Sequence, residues 1–155
     1  TSTYVDQATG APKIHNSIIV LFAGTLVNSV VHYYEQNRIA PLWWSLEGDW
    51  VTGTMYYRTR SGDVAASLTV PQAISGLVDV AVYEAFMDAN GNTVIIYTAF
   101  GGRGTYASGL YFKTVLSQSN LESLTDSWYC YSWTDSNGNR FPEYYEVNPV
   151  PNHGN

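Results

Sequence analysis

The chain has 155 residues, and its 13 Asp and Glu against 7 Lys and Arg leave a net charge of −6 with a pI near 4.8. With no run of Lys or Arg, it offers no electrostatic attraction to a phosphate backbone or an anionic membrane surface, so nucleic acid is excluded as a partner. No apolar run reaches the roughly 18 residues of a membrane span, and the lone Cys130 excludes an internal disulfide framework and a multi-cysteine metal site.

The length suits one domain over residues 1–155 with a core of its own. Aromatic residues make up 15% of it, led by 13 Tyr and 5 Trp, whereas charged residues supply only 13%, a balance that favours strands and rigid contact surfaces over solvated helices. The fold class expected is therefore all-β, antiparallel hairpins in a sandwich or barrel. The chain starts at Thr1 with no signal peptide in view, which reads as a processed or trimmed start. No Asn-X-Ser/Thr acceptor is present, and a soluble protein, secreted or cytoplasmic, is the expectation.

In chain order, residues 1–12 read as an irregular arm. Residues 14–23 (IHNSIIVLFA) form a short β-branched run that suits a buried strand, with a helix as the rival. Residues 30–35 alternate as a half-buried strand, with His32 and Tyr34 on one face. Pro41 stops pairing, Leu42 to Leu46 form the next strand, and residues 50–60 and 64–70 make a hairpin around Ser61-Gly62-Asp63. Residues 71–76 connect, with at most one helical turn.

The central element is residues 77–100. Asn90-Gly91 between two apolar runs is a hairpin signal, and a two-residue type I′ turn there would set Phe86 opposite Ile95, Glu84 opposite Tyr97 and Val82 opposite Ala99. Gly101-Gly102-Arg103-Gly104 follows, then a strand over residues 106–116. Residues 117–126 are the one stretch expected to be helical, capped by Ser119 or Asn120. A final hairpin over residues 128–147 and a tail over 148–155 complete the chain.

The pattern D-x-N-G-N occurs at Asp88 and at Asp135, 47 residues apart, so trefoil- or propeller-like units of that length are an alternative architecture. A Tyr-rich strand, this turn, a returning strand and a closing aromatic-x-x-Gly (Tyr106 to Gly109, Trp50 to Gly53) resemble the blade repeat of fungal and bacterial fucose-binding propeller lectins. Residues 80–111 and 31–55 carry the pattern, while the third unit lacks the closing element. In that family an Arg, a Glu and a Trp between blades hold the sugar. The Arg and Glu positions here carry Asp79 or His32 and Ile96, so the resemblance implies architecture and transfers no binding residue.

Sugar binding needs flat aromatic faces for the C–H surface of a pyranose, with carboxylates and amides beside them. Two groups qualify. In the last hairpin, a turn at Asn137-Gly138 would pair Trp133 with Pro142, Tyr131 with Tyr144, Tyr129 with Glu146 and Asp135 with Arg140, making an aromatic face on an edge ribbon. The competing reading makes these rings core. The second group is Trp43, Trp44, Glu47, Asp49 and Trp50, where Trp43 and Trp44 must point to opposite faces.

Other signals read as plainer features. The glycine loop lacks a following helix in this reading and so serves as a hairpin loop, with Arg103 in reach of a ligand carboxylate. D-x-N-G-N lacks the distal Glu of a calcium loop, and Cys130 reads as a buried thiol. No cofactor or metal is implied. Glu47 with Asp49, or Glu35 with Glu84, are the carboxylate pairs an acid/base enzyme would draw on. The expectation is a lectin-like protein binding glycans or glycoproteins, with a small β-barrel enzyme or a structural or immunomodulatory self-associating protein, such as a homodimer, as alternatives.

Overall fold

The computed structural model describes residues 4–114 and 125–155. It is rich in strands, which lie in two open sheets. The larger is mixed, with strands β1 (Ile18–Phe22), β6 (Thr93–Thr98), β5 (Val78–Met87), β7 (Trp128–Thr134) and β8 (Asn152–Gly154) side by side in that order. The smaller is an antiparallel meander of β2 (Leu42–Glu47), β3 (Thr54–Thr59) and β4 (Val64–Thr69). Among the described residues, the α-helices α1 (Ser29–Gln36), α2 (Val70–Ser75) and α3 (Gly102–Thr114) depart from the all-strand expectation.

The five-stranded sheet is covered on both faces. On one, Val94 and Ile96 meet Val30, Val31 and Tyr34 of α1, and Val82 and Cys130 meet Leu42, Tyr57 and Ala65 of the smaller sheet. On the other, Ala81, Tyr83, Tyr97, Tyr129, Tyr131 and Trp133 meet Ala107 and Tyr111 of α3. The alternation of β5 and β6 is thus apolar on both sides, as expected for a central hairpin.

Its register differs from the expected one by a residue. Phe86 pairs with Val94, Glu84 with Ile96 and Val82 with Thr98, because the loop has three residues, Ala89, Asn90 and Gly91. Asp88 decides this: its Oδ1 accepts from the amides of Asn90 and Asn92, each at 2.9 Å. Only Gly91 then adopts a positive φ, of 74°, where a type I′ turn would require two. With those donors and the Tyr34 hydroxyl, at 2.7 Å, around its carboxylate, Asp88 organises a turn.

Residues 30–35 are helical where a strand was expected. Asn28 caps the helix, its side-chain oxygen accepting from Val30 N at 2.9 Å and Val31 N at 3.2 Å, and the buried positions 30, 31, 34 and 35 follow helical spacing. Residues 106–114 are likewise helical, with Gly104, Ala107, Ser108 and Tyr111 forming the buried stripe of α3. The connector at 71–76 is the short helix α2, closed by a Thr69–Gln72 capping box and by Gly76 at φ 64°. The helix expected over 117–126 falls almost wholly outside the described residues.

The last ribbon does not fold back on itself. β7 pairs with β5 along its whole length, and its other edge takes β8 and a bridge from Trp133 to Val147. The pairings of Trp133 with Pro142, Tyr131 with Tyr144 and Tyr129 with Glu146 are therefore absent, and the tail supplies β8. Asp135 does hold Arg140, through that residue's main-chain amide at 2.8 Å. The two D-x-N-G-N turns are not equivalent, since the second leads to no returning strand. Residues 80–111 run through β5, β6 and α3 rather than a four-stranded antiparallel blade.

Candidate functional site

Among the described residues, β1 and β6 are the one parallel pair in the large sheet, and the chain leaves their carboxyl ends in opposite directions. From β1 it passes through Gly24 to α1 on one face. From β6 it passes through Gly101 to α3 on the other. Such a divergence opens a crevice outside the strand ends, the common ligand position in sheets of this type. A cavity of about 370 Å³ lies there, between Gly24 and Thr25 on one side and Phe100 and Gly101 on the other, with Tyr57 and Trp44 in its walls. A second cavity of about 310 Å³ shares Thr25, Leu26 and Trp44 and adds His32, Glu35, Gln36, Arg38 and Trp43. The two are lobes of one crevice.

Three elements supply the polar lobe. Helical spacing sets His32, Glu35 and Gln36 at i, i+3 and i+4 on one side of α1. The imidazole Nδ1 of His32 is 3.2 Å from Thr25 Oγ1, which ties the helix to the loop after β1. Trp43 and Trp44 come from β2; Trp43 donates its indole N–H to the Thr59 carbonyl at 2.8 Å and carries the Arg38 guanidinium 3.2 Å above its ring centre. Trp44 stacks on Trp50 with ring centres 5.8 Å apart and planes 19° from parallel.

Glu35 is the chemically unusual group. Its Oε2 accepts from the Trp44 amide at 2.9 Å, while Oε1 has no protein donor. Burial pushes its carboxyl up to about 7, against the opposing pull of the Trp44 amide and Arg38. Glu84 repeats the arrangement one step along β2, where its Oε2 accepts from the Leu42 amide at 2.8 Å and Oε1 again has no protein donor. Burial, and then the charge of Glu35, raise Glu84 well above the ordinary carboxylate range. The outward amides of residues 42 and 44 lie roughly 6.6 Å apart along the strand. Two carboxyls thus take the place of a neighbouring strand at the edge of β2.

The glycine-rich loop has a strand before it and a helix after it, contrary to the sequence expectation. It is nevertheless filled from within: the Asp79 carboxylate accepts from the amides of Phe100 at 3.0 Å, Gly101 at 2.9 Å and Gly104 at 3.2 Å. Burial lifts Asp79 to about 6 even so. Arg103 points away, donating to the Gly76 carbonyl at 3.0 Å.

The residues singled out in the sequence separate into two sets. Tyr129, Tyr131 and Trp133 lie in the core under α3, Trp133 only 1% exposed, with its indole N–H directed at Glu146. They form no outward platform, because α3 covers that face of the sheet; Tyr129 and Tyr131 instead line a cavity of about 250 Å³ with Tyr83, Tyr97 and Phe112. Tyr144 is exposed beside Tyr145, and Asp135 and Arg140 sit in the loop before them. Trp44 and Trp50 do come together, Trp50 being 56% exposed. Glu47 pairs with Arg58, and Asp49 is occupied in capping the turn through the amides of Val51 and Thr52.

Sequence reasoning did not assign Thr25, Gln36 or Arg38 to a site. It weighed Glu35 only in a pair with Glu84, and the structure does bring those two carboxyls together at the edge of β2, on the amides of Trp44 and Leu42. The signal was the i, i+3, i+4 spacing of His32, Glu35 and Gln36, legible once Asn28 is recognised as a helix cap. Among the described residues no group of three or more His, Cys, Asp or Glu could hold a metal ion, and no helix is long and apolar enough to cross a membrane. Comparison with known protein families, with curated proteins and with solved structures returned no match.

Proposed function

We propose that the chain is a lectin-like protein that binds a carbohydrate of a glycan or glycoprotein in this crevice, with Trp44 as its stacking platform. The observation that carries the reading is the position of Trp44, which lines both lobes and is backed by the parallel ring of Trp50. Thr25, His32, Gln36 and Arg38 surround it with the hydroxyl, ring nitrogen, amide and guanidinium groups that hydrogen-bond sugar hydroxyls. The lobes fall in the size range of small-molecule pockets. A glycan array followed by titration tests it. Wild type should bind a defined subset of glycans, Trp44→Phe should retain part of the affinity, and Trp44→Ala should lose about tenfold or more, or ~1.4 kcal/mol. Thermal melts guard against loss through unfolding, and Tyr144→Ala should behave as wild type. Unchanged binding by Trp44→Ala would refute the assignment.

One observation favours a second reading, an acid/base enzyme. Glu35 lies at the wall of the polar lobe with Oε1 unpartnered, and burial keeps its carboxyl protonated up to about pH 7, as a general acid requires. In a glycosidic cleavage it would protonate the departing oxygen as water adds to the anomeric carbon. Release of reducing sugar from unactivated oligosaccharides by wild type, lost in Glu35→Gln with glycan binding retained, is the expected result; no release across an oligosaccharide panel would exclude it.

A further inference from the structure

The sheets close their margins in different ways, and one margin is left open. The outer edge of β2 is satisfied by Glu35 and Glu84, and β8 is a three-residue polar strand whose Asn152 donates its side-chain amide to the Ala65 carbonyl of β4 at 2.7 Å. β1 is the other end strand of the large sheet, and among the described residues no strand pairs with its outer side. The Thr93 amide donates to the Ser17 carbonyl at 2.9 Å. The alternation of a parallel ladder then turns the main-chain groups of Ile19 and Leu21 toward β6 and those of Ile18, Val20 and Phe22 outward.

The same three residues expose their side chains. Ile18 is 74%, Val20 48% and Phe22 56% accessible, while Ile19 and Leu21 pack toward α1. Native edge strands are usually blunted by charge, proline, a bulge or a covering element. Residues 16–25 contain no Asp, Glu, Lys, Arg or Pro, and the register from Ile18↔Thr93 to Phe22↔Tyr97 is unbroken. In an acidic chain, this is a margin where a second copy meets no like charge. The groove beside Phe22, lined by Thr105, Tyr106, Gly109, Leu110 and Lys113 of α3, continues this surface and adds one basic side chain, opposite in sign to the chain's net charge.

We propose that two copies associate through β1, antiparallel about a two-fold axis at Val20, to give one continuous ten-stranded sheet. In that register Val20 meets the partner's Val20, and Ile18 meets the partner's Phe22, each a pair that exchanges two main-chain hydrogen bonds. The exposed row becomes a shared apolar strip between the two α3 helices. A second copy is the occupant because the strand is complementary to itself in both hydrogen bonding and side chains. An interface this short belongs to the small class, below about 1,200 Å² in total, so the dimer should be concentration-dependent. The inference is independent of the glycan-binding reading.

Sedimentation equilibrium of the full chain, from about 1 µM to 1 mM, spans the range where such dimers form. Wild type should rise from monomer toward twice the mass. Val20→Lys should remain monomeric with an unchanged melting curve, and Ile74→Lys, at a more exposed apolar residue on α2, should dimerise as wild type does. Val20→Cys adds a positive test: paired residues of this kind have Cα atoms about 5.5 Å apart, within disulfide reach, so mild oxidation should yield a covalent dimer, Cys130 being buried. A wild type that stays monomeric throughout would overturn the proposal. So would Val20→Lys dimerising like wild type, or Val20→Cys failing to cross-link.

Discussion

At the scale of single residues, the buried carboxyls govern how stability responds to pH. Glu35 moves from an ordinary value of 4.5 to about 7 on folding and Asp79 from 3.8 to about 6, while Glu84 shifts in the same direction. A carboxyl raised in this way favours its neutral form in the folded chain. Its contribution is complete below the unfolded value and is lost as pH climbs through the folded one. For Glu35 alone the loss between about pH 4.5 and 7 is on the order of 3 kcal/mol. Asp6, Asp49 and Asp88, held below the ordinary value by hydrogen bonds, have the opposite sign and lose their contribution as the pH falls through their lowered values. Denaturant unfolding should therefore show greater stability at pH 5 than at pH 8, and Glu35→Gln should flatten that slope; equal slopes in the two proteins would remove Glu35 from the explanation.

Gly104 illustrates a steric constraint of the same kind. A Cβ there would fall 2.3 Å from Asp79 Cγ and 2.7 Å from Ala99 Cβ, neither able to retreat from a packed site. Gly104→Ala should lower stability by about 1–3 kcal/mol, read as a drop in melting temperature. A melting curve superimposable on wild type would mean that the start of α3 yields more easily than the packing implies.

At the scale of elements, α1 positions much of the polar lobe, and its cap is a single side chain. Asn28→Ala removes the acceptor for the amides of Val30 and Val31, at a cost of about 1 kcal/mol. Because His32, Glu35 and Gln36 ride on that helix, ligand affinity should fall together with helicity measured by circular dichroism. Full affinity in a destabilised Asn28→Ala would show that the helix is not what holds the lobe in shape.

The elements also show where the sequence is readable. Alternation and turn residues identify β1 to β7, and the hairpin around Gly62 folds as the residues suggest. The central hairpin is found but its register is not, because the Asp88 side chain stabilises a three-residue loop that the Asn-Gly pair alone does not reveal. α1 is misread as a strand since Val and Tyr fill half of it, and α3 since Tyr106, Tyr111 and Phe112 favour strands locally. What makes them helices is a cap at Asn28, a buried stripe of Gly104, Ala107, Ser108 and Tyr111 at helical spacing, and a sheet to pack against. Trp44 and Trp50 are recognisable as a pair, being six residues apart across one turn. The crevice around them is not, because it arises from the divergence of two parallel strands 75 residues apart in the chain.

At the scale of the whole molecule, the two sheets share one interior. Leu42 and Tyr57 of the small sheet pack on Val82, Trp128 and Cys130 of the large one, and the Tyr57 hydroxyl donates to the Ala99 carbonyl at 3.1 Å. Two carboxyls from α1 and β5 close the seam at β2. Neither sheet could separate without exposing these groups, so unfolding should be a single transition, with near- and far-ultraviolet circular dichroism coinciding. Non-coincident curves would place the small sheet in a separate cooperative unit.

The same architecture places the crevice where three layers meet, and ligand binding there is the central claim. Amide chemical-shift mapping during titration with an oligosaccharide selected by the array tests it most directly. Shifts concentrated on Thr25, His32, Trp44 and Gly101, fading in Trp44→Ala, are the expected result. Shifts confined to the exposed Tyr144 and Tyr145 surface, or none at saturating sugar, would contradict it.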